Sequence, residues 1–342
     1  MRIGVLTGGG DCPGLNAAIR AIVRKSIGGH GHEAYGIRDG WKGLVDGDLF
    51  QLTELDVGGI IKKGGTILGT SRTNPYNDKD ALASVKSNID KFKLDALAVI
   101  GGDDTLGVAT KLSEEGISCV GVPKTIDNDL SATDSTFGFD TAVSIAVDAI
   151  DRLTTTAESH HRTIVVEVMG RHAGWIALHS GIAGGADCIM LPEFAMSIQE
   201  VVDIINKRKE AGKRFHIIVV SEGAAISGDD ALTQDDSLDE FGNVRLGGVG
   251  EYVGRELRER TGGEVRTVVL GHTQRGGPPT AYDRMLATRF GLAAAEYLNE
   301  GKFGVMAALR GNDIVPVPLA EATNELKLVP PELYELAKTF FS

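Results

Sequence analysis

The feature that most constrains this chain's fold is a repeated alternation. Short apolar runs end in a glycine-rich or polar turn, and a helical pattern follows. Ile3 to Thr7 leads into "GGGDCPG" and then "LNAAIRAIVRKSI", and Ala96 to Ile100 leads into "GGDDT" and then "LGVATKLSEEG". Cys119 to Val122 runs into "PKTIDND", and Thr163 to Val168 into "MGRHAGW" and "IALHSGIAGG". Phe215 to Val220 runs into "SEGAA", and Thr267 to Leu270 into "GHTQRGG". Strands alternating with helices form βαβ units and a mostly parallel sheet. Unbroken apolar runs such as "IIVVS" suit strands buried on both faces. Ligands of open α/β sheets bind beyond the carboxyl ends of the strands, where every one of these polar clusters falls. The expected class is α/β, two lobes of similar build with a cleft between them.

With 342 residues the chain is long enough for two lobes. A formal net charge of −12 argues against a general nucleic-acid surface, so a local basic pocket has to be built against the average field. No apolar stretch approaches the roughly 20 residues that span a bilayer. The N-terminus lacks the apolar core and cleavage site of a signal peptide. Cys12, Cys119 and Cys188 are odd in number and widely spaced, which reads as free thiols in a reducing cytoplasm. The acidic, glycine-bearing stretch from Ser227 to Gly248 reads as a surface excursion.

The clusters then supply chemistry. "TGGGDCPG" (Thr7 to Gly14) runs from a strand through three glycines into a helix, the arrangement of an anion site made of backbone N–H groups. It is neither a Walker loop nor the dinucleotide GxGxxG spacing. In "GGTILGTSRTNP", Arg72 offers a fork for phosphate oxygens. In "PKTIDND", extended geometry would point Asp127 and Asp129 the same way across Asn128. One carboxylate can act on a substrate hydroxyl while the other helps hold Mg²⁺, with Asp103 a third acidic partner. "HHR" (His160 to Arg162), "MGRHAGW", "GHTQRGG" and Arg266 bring repeated His and Arg to strand ends, which suggests anionic ligands. Glu222 can accept hydrogen bonds from sugar hydroxyls. Together the residues point to Mg²⁺-dependent phosphoryl transfer to a hydroxylated, anionic small molecule. A non-catalytic sensor of the same fold and a nicotinamide-dependent dehydrogenase are the competing classes. Retained Asp103, Asp127, Asp129 and Arg171 speak against the first, and absent dinucleotide spacing against the second.

"TGGGDCPGLNAAIR", "GGTILGTSR", "GGDDT", "PKTIDND", "MGRHAGW", "SEG" and "GHTQRGG", in this order from Thr7 to Gly277, resemble the 6-phosphofructokinase family. The resemblance implies two Rossmann-like three-layer lobes. It divides the chain as residues 1–138 with 251–301 for the phosphoryl donor, 139–250 with 302–321 for fructose 6-phosphate, and 322–342 as a C-terminal extension. Asp127 matches the general base acting on the sugar 1-hydroxyl, Asp103 the Mg²⁺ carboxylate, and Asp129 a support for metal and transferring group. Gly10 matches the donor-phosphate turn and Arg72 a partner for transition-state charge, and Arg171 counts with Arg72, Asp127 and Asp129 among the catalytic residues. Thr125, Ile126, Asp127, Met169, Gly170, Arg171, Glu222, His272, Thr273, Gln274 and Arg275 match the sugar-phosphate site. Arg162 and Arg266 match residues donated across a subunit interface, which implies a homodimer or homotetramer.

Donor choice turns on Asp104 and Lys124. ATP-using bacterial members typically carry glycine in place of Asp104 and often of Lys124, whereas the Asp–Lys pair is similar to the pyrophosphate-dependent branch. A carboxylate at 104 adds bulk and charge opposing an additional phosphate, and Lys124 supplies a compact cation for a phosphate not tied to a nucleoside. Lys124 also occurs in some ATP-using members, so Asp104 carries most of the weight. The reading is a cytoplasmic enzyme using pyrophosphate and fructose 6-phosphate with Mg²⁺, an ATP-, ADP- or mixed-donor enzyme being the alternative. Arg20, Arg24, Lys213 and Arg214 could line a nucleotide effector site, but Glu54 stands where a basic residue is usual, so weak or absent allostery is expected.

Overall fold

The computed structural model describes residues 1–228 and 248–341. Most of the Ser227–Gly248 excursion therefore lies outside the described residues. The chain divides into two compact units, Met1–Thr141 with Arg275–Leu326, and Ala142–Gln274 with Lys327–Ser342.

The first unit is built on one sheet. Its parallel centre is β1 (Arg2–Thr7), β2 (Glu33–Ile37), β4 (Ala96–Gly101) and β5 (Cys119–Thr125). The order is β12-β11-β5-β4-β1-β2-β3, where β3 (Leu49–Leu52) and β12 (Asp313–Pro318) are antiparallel edges and β11 (Val305–Arg310) runs parallel to β5. A two-residue strand, β6 (Phe137–Gly138), pairs with the end of β5. The register Leu6↔Val99 and Val99↔Gly121 brings the carboxyl ends of β1, β4 and β5 side by side. All six residues of β4 are buried, as expected of a parallel strand covered on both faces. Helices α1 (Leu15–Arg24), α2 (Trp41–Asp46), α3 (Lys79–Phe92), α4 (Asp103–Glu114), α9 (Ala281–Asn299) and the short α10 (Leu319–Thr323) also belong to this unit. Leu97, Val99, Leu106, Leu112 and Met306 join in its core.

The second unit has a four-stranded parallel sheet in the order β10-β7-β9-β8. Its strands are β7 (Thr163–Val168), β8 (Cys188–Met190), β9 (His216–Ser221) and β10 (Val265–Val269). β7 and β9 are buried along their whole length. Helices α5 (Phe139–His160), α6 (Trp175–Ala183), α7 (Ile198–Glu210), α8 (Val249–Thr261) and α11 (Pro331–Lys338) accompany it. α7 starts on a capping box between Ser197 and Glu200, which satisfies two otherwise orphaned N–H groups.

Three expectations are corrected. Residues 251–274 belong with the second unit, because β10 pairs with β7. Residues 302–321 belong with the first, because β11 adds to β5 and β12 folds back on β11. Residues 327–342 are counted within the second unit rather than standing apart as an extension. Strand pairing decides the first two cases, and the bonds of Lys327, Val329 and Tyr334 to Trp175, Glu193 and Ile189 go with the third; a linear motif order carries no information on either. Cys12, Cys119 and Cys188 are free and buried, in line with the reading of free thiols. No helix among the described residues is long and apolar enough to cross a membrane.

Candidate active site

In the first unit, hydrogen bonds tie the turn after β1 to the end of β4 and to the Thr70–Ser71 stretch. Gly8 N donates to Ile100 O at 3.0 Å and Gly9 N to Ser71 O at 2.9 Å. Thr70 Oγ1 donates to Gly9 O at 2.6 Å. The glycine turn is thus clamped to the stretch that carries Arg72. Asn16, buried in the first turn of α1, holds the next part of that stretch. Its Nδ2 donates to the carbonyls of Lys63 and Gly64 at 3.1 and 3.2 Å, and its Oδ1 accepts Ile67 N at 2.8 Å. Nothing in the sequence marked Asn16 as more than a helix residue.

Two cations flank the glycine turn. Lys124 Nζ donates to Gly10 O at 2.6 Å, and Arg275 Nη1 donates to Asp11 O at 3.3 Å. A Cβ on Gly10 would come within 2.6 Å of Arg275 Nη1, so a side chain here would displace the guanidinium from the turn. The resemblance puts Arg275 with the sugar-phosphate residues, and its guanidinium lies against the Gly10–Asp11 turn. Lys124 is only 4% exposed, and burial holds its ammonium below the ordinary lysine value.

"GGDDT" differs from the simple loop that the sequence suggested. Helix α4 begins at Asp103, which puts Asp103 and Asp104 in its first turn behind Gly102, where the helix dipole favours negative charge. Burial first, and the Asp103 charge second, push the Asp104 carboxyl up, while Arg72 pulls it down. Asp104 and Arg72 therefore act on each other electrostatically.

The reading of "IDND" as extended backbone is overturned. β5 stops at Thr125, and Asn128 adopts a left-handed conformation with φ of 53°. Its Oδ1 accepts Thr136 N at 3.1 Å, and Asp127 N donates to Thr125 Oγ1 at 3.1 Å. Asparagine tolerates this conformation because its side chain replaces the lost backbone bonding. The carboxylates are gathered by a turn and not by strand alternation. Burial, helped by the charges of Asp127 and Asp103, pushes the Asp129 carboxyl up to about 7. Ile126 is wholly buried, so only its backbone can meet a ligand.

Among the described residues no three His, Cys, Asp or Glu side chains form a ready metal cage. Mg²⁺ is commonly held by one or two carboxylates and completed by substrate phosphates and water. Asp103, beside a carboxylate pair whose mutual repulsion a divalent ion would relieve, fits that mode.

In the second unit the turn after β7 carries Met169, Gly170 and Arg171. Gly170 has φ of 133°, a conformation open to glycine. Its carbonyl accepts Ser221 Oγ at 2.6 Å and Gly223 N at 3.1 Å, and its N–H donates to Glu222 Oε1 at 3.4 Å. A Cβ on Gly223 would collide with the Arg171 carbonyl oxygen. "MGR" and "SEG" are therefore one structure. The 3-10 turn Gly271–Arg275 joins it through Gln274, whose Oε1 accepts Met169 N at 3.4 Å and whose Nε2 donates to Gly271 O at 3.0 Å. Gln274 is wholly buried, so it holds the two turns together from behind. Thr273 Oγ1 donates to Leu270 O at 2.5 Å, and His272 is exposed.

Arg162 and Arg266 are not part of this group. They lie at or near the amino ends of β7 and β10, where both pair with Glu264 Oε1, at 2.9 and 2.7 Å. Six residues of strand, roughly 20 Å, separate Arg162 from Met169.

The first unit thus gathers glycine turns, carboxylates and cations at the carboxyl ends of its central strands, and the second gathers a glycine, arginine and glutamate turn at the carboxyl ends of β7 and β9. These features define an α/β protein equipped for phosphate-bearing ligands. The phosphofructokinase family profile matches residues 2–298, and the chain belongs to that family. It is 60% identical over the full length of both chains to pyrophosphate--fructose 6-phosphate 1-phosphotransferase of Amycolatopsis methanolica. It is 52% identical, over 99% of each chain, to ATP-dependent 6-phosphofructokinase 3 of Streptomyces coelicolor. A solved pyrophosphate-dependent phosphofructokinase of Nitrosospira multiformis shares the fold, with a TM-score of 0.84 at 22% identity, over 100% of this chain and 91% of that one.

Proposed function

We propose that the chain transfers a phosphoryl group reversibly from pyrophosphate to the 1-hydroxyl of fructose 6-phosphate. The products are fructose 1,6-bisphosphate and orthophosphate. The observation that carries the donor assignment is Asp104 in the first turn of α4, beside Asp103 and under the influence of Arg72. A carboxylate there opposes the extra phosphate of a nucleotide, whereas pyrophosphate ends before reaching it. The relative at 60% identity bears a name that agrees with this donor.

In the proposed reaction Asp127 takes the proton of the sugar 1-hydroxyl, and that oxygen forms the new P–O bond. The bridging P–O bond of pyrophosphate breaks, and its electron pair leaves with orthophosphate. Arg72 and Arg171 offset charge on the transferring group, and the backbone around Gly10 with Lys124 holds the donor. Asp103, supported by Asp129, would hold Mg²⁺, which supplies charge neutralisation on phosphate oxygens. Met169, Gly170, Glu222, His272 and Thr273 bind the sugar phosphate, and Thr125 and Ile126 belong to the same proposed set.

The enzyme is proposed to work in the cytoplasm as a homodimer or homotetramer. Arg162 and Arg266, paired on Glu264 away from the Met169 turn, suit donation to a neighbouring subunit. Glu54 pairs with Arg24 at 3.6 Å, which supports weak nucleotide regulation. A mixed or ATP donor is the second reading, favoured by the ATP-dependent relative at 52% identity. A steady-state assay with pyrophosphate, ATP and ADP decides between them. Turnover with pyrophosphate is expected to exceed that with either nucleotide, and good turnover with ATP but none with pyrophosphate overturns the assignment.

A further inference from the structure

The C-terminal segment is bonded to the residues that frame the site turns. In the first unit, Ser131 Oγ donates to Glu325 O at 2.5 Å and Leu130 bridges to Leu326. Leu130 and Ser131 directly follow Asp129. In the second unit, Trp175 Nε1 donates to Lys327 O at 2.7 Å. Trp175 is the residue after Gly174, where the "MGRHAG" turn enters α6.

Within the second unit, Glu193 lies between that turn and the C-terminal chain. Its carboxylate accepts Gly174 N, at 2.9 Å to Oε1 and 3.2 Å to Oε2, and Oε1 also accepts Val329 N at 3.0 Å. One carboxylate therefore fastens both the far end of the Met169–Gly174 turn and the C-terminal chain. The chain is itself well seated. Val329 is 3% and Tyr334 is 2% exposed. The Tyr334 ring stacks on Phe194 at 4.6 Å, one residue beyond Glu193, and its hydroxyl donates to Ile189 O at 3.1 Å. A surface tail with no task would not be expected to direct its bonds at the two residues that close this turn.

We propose that residues 325–341 form a positioning strap for the sugar-phosphate turn, with Glu193 the positioning residue through which the strap acts. Glu193 touches no residue assigned to the chemistry and works through Gly174 N. The near end of the turn is held at Met169 by Gln274 and at Gly170 by Ser221 and Glu222. The strap fixes the rear of the same turn. A turn anchored at one end samples more conformations, so binding then includes the entropy of ordering it. The strap's effect should therefore fall on sugar-phosphate binding and leave the donor side untouched.

This inference rests on the proposed fructose 6-phosphate reading of the second-unit turn. The test compares Glu193→Ala, Glu193→Gln and Val329→Pro, which deletes the strap's donor, in the full chain. Glu193→Ala and Val329→Pro are each expected to raise KM for fructose 6-phosphate about tenfold. kcat and the donor KM should stay within about twofold. The double variant should be no worse than the worse single, because both remove one linkage. Glu193→Gln should restore KM to within about twofold, since an amide oxygen at the Oε1 position can accept both N–H groups. Trp175→Phe, which keeps the ring and loses the bond to Lys327, should raise the same KM if Val329→Pro does not fold. An unmoved fructose 6-phosphate KM in Glu193→Ala overturns the strap. Equal rises in both substrate KM values do so as well. Calorimetric titration with fructose 6-phosphate separates the two hypotheses. A parent chain that binds no fructose 6-phosphate overturns the functional reading and the strap's stated role with it. A parent that binds it, with variants of unchanged affinity, overturns the strap alone.

Discussion

Asp103 and Asp104 look equivalent in sequence and are not equivalent in place. Both open α4, where the unsatisfied N–H groups of a first helical turn tolerate two negative charges. Asp104 is the one whose carboxyl is raised by burial and by its neighbour and lowered by Arg72. The proposal gives Asp103 the metal and gives Asp104 the exclusion of a longer donor. Asp104→Gly should then lower kcat/KM for pyrophosphate by about tenfold, or roughly 1.4 kcal/mol, the scale of one lost charge contact in a site. Steady-state kinetics with both donors checks it, and an unchanged donor profile contradicts the account. ATP turnover is not an expected gain, because a vacated space is not a built nucleotide pocket. At this scale the sequence was informative on residue type and misleading on geometry. Asp127 and Asp129 were placed together by an assumed strand, yet the left-handed Asn128 brings their carboxylates within electrostatic reach.

At the scale of elements, strand ends and helix starts were legible because their periodicity differs from that of the turns between them. The runs at Ile3, Ala96, Cys119, Thr163, Phe215 and Thr267 all became strands. β3 and β8 are only four and three residues long, too short for a periodicity to stand out, and β12 is broken by Pro316 and Pro318. What no pattern announces is the bonding of side chains across elements. Asn16 is the clearest case, since one buried amide on α1 satisfies three backbone groups between Lys63 and Ile67. Asn16→Ala would leave those groups unpaired in a site that admits little water. A loss of about 2–3 kcal/mol of stability is expected, together with a raised KM for the donor, as the stretch ahead of Arg72 loosens. Thermal unfolding and donor titration measure the two effects. A variant as stable as the parent would show that the backbone groups find other partners.

At the scale of the whole molecule, pH stability reports on charges buried outside the site. His216 opens β9 at 1% exposure, 3.8 Å from Asp187, which pairs with Arg208 at 2.5 Å. Burial first, then the charges of Arg208 and Lys209, lower the His216 pKa from 6.5 to about 4. The folded state therefore binds fewer protons here than the unfolded chain. His216's contribution to stability is fully present above pH 6.5, declines as pH falls from 6.5 toward 4 because only the unfolded chain takes up the proton there, and is fully lost below 4. The loss reaches about 2–3 kcal/mol near pH 4.5. Denaturant titrations of the parent and of His216→Gln at pH 7 and pH 4.5 should show the variant losing less on acidification by that amount. Equal losses in both would mean that His216 does not carry the effect. Asp187 and Asp283, whose carboxyls are raised, the latter to about 6, act in the opposite sense in both proteins and cancel in the comparison.

The sequence by itself determined the α/β class, the family, and the residue types at each strand end. Those follow from hydrophobic periodicity and from local motifs, which need no partner elsewhere in the chain. Tertiary structure alone decided which sheet β10, β11 and β12 join, that Arg275 lies against the Gly10 turn, and that Asp127 and Asp129 meet through a left-handed asparagine. It alone showed Glu193 reaching both Gly174 and Val329. All but the Asn128 turn, which rests on Thr125 and Thr136 close by, depend on a hydrogen bond or a charge between residues farther apart in the chain. Such pairings are fixed when the sheets close and the core packs, because only then must every buried polar group find its partner.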